Sequence, residues 1–150
     1  MAKHGVKYRI GVMGGSFNPV HCGHLSVAND VKAALKLDRM ALMPAAQSPL
    51  KGVHSASAEH RAAMLERAVA SDPELDLDLR ELSRKGPSYT IDSLRELREA
   101  LGLQASLHFI MGDDLLPSLM RWSRWQEILH YAHLVVVSRP GIFPAVPDTV

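Results

Sequence analysis

Short apolar runs alternate with amphipathic helical stripes along most of the chain, and this alternation limits its folds more than any other feature. Tyr8 to Met13 is β-rich and runs into Gly14-Gly15. From His24 to Leu35, Val27, Ala28, Val31, Ala34 and Leu35 recur at helical spacing. Met40 to Met43 reads as a second strand stopped by Pro44, and Ala45 to Ser57 as an aperiodic loop. A helix is expected from Glu59 to Ala70, capped by Ser57, with Met64, Leu65, Ala68 and Val69 inward and Asp72-Pro73 as its stop. Leu75, Leu77 and Leu79 alternate with Asp76, Asp78 and Arg80, the pattern of a half-exposed strand. After Gly86-Pro87-Ser88, Thr90 is expected to cap a helix burying Ile91, Leu94, Leu97 and Leu101. Leu107 to Met111 and Leu134 to Val137 are the remaining strands, separated by a short helical region with Trp122 and Trp125. Met13, Met40, Met43, Met64 and Met111 fall within apolar patterns and read as core. Strands alternating with helices predict a doubly wound α/β domain of about five parallel strands with helices on both faces. Ligands of such sheets bind beyond the carboxyl ends of the strands.

The segment Gly14-Gly15-Ser16-Phe17-Asn18-Pro19-Val20-His21-Cys22-Gly23-His24 follows the first strand directly. Two glycines permit a sharp turn and a close approach to a bulky anion, with free N–H groups as donors. Pro19 stiffens the turn. His21 and His24, three apart at the start of a helix, lie on neighbouring parts of one face. There they can hydrogen-bond a polyphosphate and protonate one that departs. A plain turn with structural histidines is the simpler reading. His-Cys-x-His also has the outline of a metal site, without a distant partner cluster. The lysine spacing of a P-loop and the G-x-G-x-x-G pattern are both absent, which argues against kinases and dehydrogenases.

Composition narrows the classes further. The chain has 150 residues, 47% hydrophobic and 22% charged, ordinary for one globular domain and against disorder. Seventeen Lys and Arg against sixteen Asp and Glu leave a formal charge of +1 without a charge block, so general nucleic-acid or membrane-surface binding is disfavoured. Cys22 is the single cysteine, which excludes an intrachain disulfide and suits a reducing compartment. No apolar run exceeds four residues and the N-terminus lacks a signal-peptide core, so a cytoplasmic protein is expected.

Strand, double glycine, Phe-x-Pro and His-x-x-His together resemble the signature of nucleotidyltransferases with a His-x-Gly-His motif. More narrowly, the chain resembles the bacterial nicotinate mononucleotide adenylyltransferases over nearly its whole length. Pro87-Ser88-Tyr89-Thr90, Phe109-Ile110-Met111-Gly112-Asp113-Asp114, Trp122 with Trp125, and Arg139-Pro140-Gly141 fall in the family's order. The resemblance implies adenylyl transfer from ATP to nicotinate mononucleotide, giving deamido-NAD and pyrophosphate in NAD biosynthesis. It implies ATP contacts at Gly14, Gly15, Ser16, Phe17, His21, His24, Gly112, Asp114 and Arg139. Of these, His24 and His21 are the catalytic pair and Asp114 takes the ribose. The mononucleotide falls to Lys51, Thr90 and Trp122, with Thr90 on the nicotinate carboxylate and Trp122 stacked on the pyridine ring. Mg²⁺ is expected on the ATP phosphates rather than on a protein metal site.

Three departures from the family stand out. Ser48-Pro49-Leu50-Lys51 has leucine where relatives usually carry histidine, and Ser123 follows Trp122 where many carry an aromatic residue. The C-terminal Ser/Thr-x-x-x-Arg segment that grips ATP is missing after Arg139. The resemblance therefore predicts a C-terminally truncated, weakly active or inactive form, with apolar surface open to self-association. A phosphopantetheine-type adenylyltransferase and a non-catalytic nucleotide binder are the competing readings.

Overall fold

The computed structural model describes residues 8–17, 20, 22–46, 57–84 and 88–138. Five strands, β1 (Tyr8–Gly15), β2 (Arg39–Pro44), β3 (Leu75–Leu77), β4 (Ala105–Gly112) and β5 (His133–Val137), form one sheet in the order β3-β2-β1-β4-β5. Every neighbouring pair is parallel. The order reverses beside β1: the chain winds outward from β1 to β3, then returns to β4 on the other side of β1. The expected doubly wound sheet is therefore the observed one.

Parallel strands need crossovers, and the crossovers coat both faces. On one face, Ala28 of α1 (Cys22–Ala34) and Leu65 of α2 (Ala58–Ala70) pack with Met13, Met40, Leu42, Leu75 and Ile110. On the other, Ile91, Leu94 and Leu97 of α4 (Thr90–Leu101) pack with Ile10, Val12, Leu107, Phe109 and Met111. Leu119, and Ile128 of α5 (Ile128–Tyr131), complete that layer. Val12 and Met13 point to opposite cores, as the two-residue period of a strand requires. Of the five methionines expected in the core, Met64 is only half-buried. Among the described residues no helix is long and apolar enough to cross a membrane.

Helix α2 begins where its cap predicts, with the His60 N–H donating to Ser57 Oγ at 3.1 Å. Two local expectations are overturned. The third strand ends at Leu77, not Leu79: Asp78 Oδ1 accepts the Arg80 N–H at 3.0 Å, an Asx turn that starts the one-turn helix α3 (Arg80–Ser83). Thr90 is the first residue of α4 rather than its cap. Tyr89 holds the cap position without a side-chain bond; its carbonyl accepts from the Asp92 and Ser93 N–H groups, and the Thr90 and Ile91 N–H groups have no backbone partner among the described residues.

Candidate active site

The carboxyl ends of β1 and β2 and the start of α4 enclose a cavity of about 350 Å³. Gly14, Gly15 and Ser16 form one wall, Met43, Ala45 and Ala46 a second, and Ser88, Tyr89 and Thr90 a third. Phe109, Trp122 and Ser123 close the far side. Residues far apart in sequence meet because β1 lies centrally between β2 and β4. This is the location expected for a ligand of a doubly wound sheet.

The glycines act differently from expectation. Gly14 and Gly15 continue β1, in register with Met43 and Pro44, and do not make the turn. The left-handed residue is Phe17, at φ 47°. That conformation costs a non-glycine residue about 1–2 kcal/mol, and here the ring is almost fully buried at 2% exposure. Gly14 is demanded by packing: a Cβ there would sit 2.8 Å from the Phe109 ring. At Gly15 a Cβ would meet only the Phe17 ring at 3.5 Å, an ordinary contact. Its missing side chain leaves the cavity wall as bare backbone.

His24 lies in the first turn of α1, with its ring edge-on to Phe17 at 4.9 Å. The buried Phe17 ring thus ties the orientation of His24 to the turn that frames the cavity. Trp122 meets Phe109 edge-on at 6.3 Å and stands in the break after the 3-10 segment Asp113–Arg121, not inside a helix. Its place is set by its neighbour Arg124. That left-handed residue donates to Asp92 Oδ1 at 2.6 Å in the first turn of α4, drawing the Trp122 loop towards Thr90. Trp125 packs against the core and is absent from the cavity wall.

Of the expected site residues, Gly14, Gly15, Ser16, Thr90 and Trp122 share the cavity. Phe17 and His24 pack together beside it. Gly112 ends β4, and Asp114 is exposed just beyond, off the cavity wall. His21, Lys51 and Arg139 lie outside the described residues.

Several charged residues at or behind the cavity were not foreseen, Arg121 on its wall among them. Glu81 of α3 lines the cavity at only 5% exposure and accepts a 2.6 Å hydrogen bond from Ser93 Oγ. Arg84 donates to Ser93 at 2.9 Å and to Ser88 at 2.6 Å, fastening the segment before Thr90. Burial raises the Glu81 pKa above its ordinary 4.5, outweighing the Ser93 bond and the Arg84 charge that lower it. The folded state therefore holds this proton at pH values where the unfolded chain has released it. Stability from Glu81 is full below the ordinary carboxylate range and falls as pH rises towards the raised folded pKa. Glu81→Gln is expected to remove that decline, seen as a flatter melting-temperature profile than wild type from about pH 4 to 8. Arg61 of α2 is a further buried cation, behind Ser16 and 2% exposed.

The cytidylyltransferase-like family model matches residues 12–150. The chain belongs to that family. Among its curated relatives, the "Probable nicotinate-nucleotide adenylyltransferase" of Cellvibrio japonicus is 51% identical over 132 residues, covering 88% of this chain and 63% of the relative. That of Marinomonas sp. is 45% identical over 142 residues, covering 94% and 64%. The chain thus spans just under two thirds of the length of these relatives. In fold it is similar to the putative nicotinate-nucleotide adenylyltransferase of Vibrio parahaemolyticus, at TM-score 0.70 and 17% identity over 89% of this chain and 75% of that one. It is likewise similar to the Plasmodium falciparum nicotinic acid mononucleotide adenylyltransferase solved with NaAD, at TM-score 0.67 and 16% identity over 91% and 77%.

Proposed function

We propose that this cytidylyltransferase-like chain transfers the adenylyl group of ATP to nicotinate mononucleotide, releasing deamido-NAD and pyrophosphate. The observation that carries this reading is one cavity joining the glycine backbone of β1 to the start of α4 and to Trp122. One side offers bare backbone to a polyphosphate. The other offers the Thr90 and Ile91 N–H groups at the start of α4 to a carboxylate and an aromatic face to a flat heterocycle.

The chemistry asks little of a base. The mononucleotide phosphate is largely a dianion near neutrality, and one of its oxygens attacks the α-phosphorus of ATP. The new P–O bond forms as the bond to the bridging oxygen breaks, and pyrophosphate leaves with the electron pair. Alignment and charge stabilisation account for the acceleration. His24 is assigned to the α-phosphate as charge spreads over its oxygens, with His21 on the triphosphate. Gly14, Gly15, Ser16 and Phe17 bind phosphate through backbone, while Gly112, Asp114 and Arg139 complete the ATP side and Lys51 assists the mononucleotide. Thr90 holds the nicotinate carboxylate and Trp122 the ring.

Among the described residues no group of three or more His, Cys, Asp or Glu could hold a metal ion. The donors at the site, backbone amides and imidazole, suit phosphate oxygens. Mg²⁺ accordingly fits as part of the Mg–ATP substrate, where it neutralises the departing pyrophosphate.

The test is pyrophosphate release from Mg–ATP with nicotinate mononucleotide, nicotinamide mononucleotide or phosphopantetheine as acceptor. Slow release with the nicotinate compound is expected, and release with phosphopantetheine alone, or with none of the three acceptors, would overturn the assignment. Trp122→Ala should raise KM for the mononucleotide about 3- to 10-fold, the scale of one aromatic stacking contact. Trp122→Phe should recover most of that loss. An unchanged KM in the alanine variant would move the pyridine ring elsewhere.

A further inference from the structure

Arg61 sits on the core-facing stripe of α2, one turn before Leu65, and is 2% exposed. Buried arginines normally face a carboxylate, because an uncompensated charge is costly away from water. No ion pair among the described residues involves Arg61. The neighbouring segment 47–56, outside the described residues, contains neither Asp nor Glu in its sequence. Instead Nη1 donates to two backbone carbonyls, Ser16 O at 2.9 Å and Ala45 O at 2.7 Å, while Nε has no partner among the described residues. Those carbonyls belong to two different cavity walls, the turn after β1 and the end of β2.

Peptide planarity gives this arrangement a consequence. In a trans peptide the N–H of the following residue points opposite to the carbonyl. Turning the Ser16 and Ala45 carbonyls back towards α2 therefore turns the N–H groups of Phe17 and Ala46 away from it. Among the described residues neither N–H makes a backbone hydrogen bond outside the regular elements, whereas the Ala45 N–H donates to Gly15 O at 2.8 Å. The same bond on Ser16 steadies the left-handed Phe17, whose ring meets His24.

We propose that Arg61 is a positioning residue for the nucleotide: its two-carbonyl clamp presents the Phe17 and Ala46 N–H groups as anion donors and leaves its own charge to be balanced by the bound triphosphate. This deepens the adenylyl-transfer reading and rests on it for the identity of the anion. Arg61 touches no substrate. It acts through two peptide planes, and its positive charge lies behind donors already aimed at negative charge.

The readout is the dissociation constant for Mg–ATP, measured by calorimetry on the whole chain, which needs no turnover. Arg61→Met keeps much of the buried volume and removes the clamp. It is expected to weaken Mg–ATP about 10- to 100-fold, the scale of one or two hydrogen bonds from a charged donor. Hydrogen exchange should quicken at residues 14–17 and 43–46 and not along β4. Arg61→Lys retains the charge but loses the fork that reaches both carbonyls, and should recover only part of the affinity. A purely structural residue would lower the melting temperature and the folded fraction, with Mg–ATP affinity per folded molecule unchanged. That result in both variants overturns the proposal, and so does a wild-type chain that binds no Mg–ATP. Turnover with nicotinate mononucleotide in the same samples bears on the reaction alone: a wild-type chain that binds Mg–ATP, loses it in Arg61→Met, and releases no pyrophosphate refutes the reaction and keeps the clamp.

Discussion

His24→Ala is expected to lower the rate of pyrophosphate release about 10²- to 10³-fold, while KM for nicotinate mononucleotide changes little. That magnitude is typical of removing one preorganised donor from charge that develops in a transition state. Position supports the assignment. His24 is in the first turn of α1, directly after the strand–turn segment, and its ring is steadied edge-on by Phe17 at 4.9 Å. It is half-buried, so alanine costs little packing and the variant should melt close to wild type. Rate and stability then separate cleanly. A variant that turns over at the wild-type rate would move the essential donor to another residue, with His21 the first to test.

Gly14→Ala carries the second large effect, on folding and binding together. The added Cβ would lie 2.8 Å from two atoms of the Phe109 ring, closer than carbon atoms tolerate. Phe109 is 2% exposed within the core, so the ring has little space for retreat. Overpacking of this kind costs about 1–3 kcal/mol, or a fall of roughly 3–10 °C in melting temperature. The ring's neighbour on the cavity side is Trp122, and relaxation in that direction narrows the cavity. A raised KM for the mononucleotide should therefore accompany the lower melting temperature. Wild-type stability in the variant would show that the strand shifts to admit the methyl group. Gly15→Ala provides the contrast: its Cβ has ordinary room within the protein, so any loss there should appear in nucleotide binding rather than in stability.

Much of the fold was legible because burial by strands and helices leaves a period. The alternation of apolar runs and stripes predicted the parallel sheet, and the Ser57 cap predicted the start of α2. Misreadings gathered where distant partners or local turns decide. The Leu75 to Leu79 alternation suited a strand, but an Asx turn at Asp78 took the backbone out of it. The double glycine suggested a turn, yet the sheet continues through it and the left-handed position falls on Phe17. The joining of Thr90 to Trp122 follows from Arg124 meeting Asp92, residues with no sequence pattern in common. Arg61 did carry a signal, standing three and four residues before Met64 and Leu65 on one stripe. A cation there reads as a solvated helix face until the two carbonyls opposite it are known. Glu81 gave no such warning, since its burial depends on Ser93 from another helix.

The strand order bears also on how the protein is made. β1 pairs with β4 from Tyr8 opposite Ala105 to Met13 opposite Ile110, so the first strand waits for the end of a long stretch of synthesis. Pairings of such sequence separation form slowly, because closing a long loop precedes any gain from the contact. Until β4 leaves the ribosome, β1 has its β2 partner but an open edge on the other side, and Gly14 lacks the Phe109 ring that will cover it. An unfinished chain of this kind presents an apolar strand edge to its neighbours, the usual start of aggregation. The cavity, which needs Phe109 and Trp122 as well as Gly14, is thus among the last features to assemble. Nascent chains stalled before β4 should depend on chaperones and bind no nucleotide.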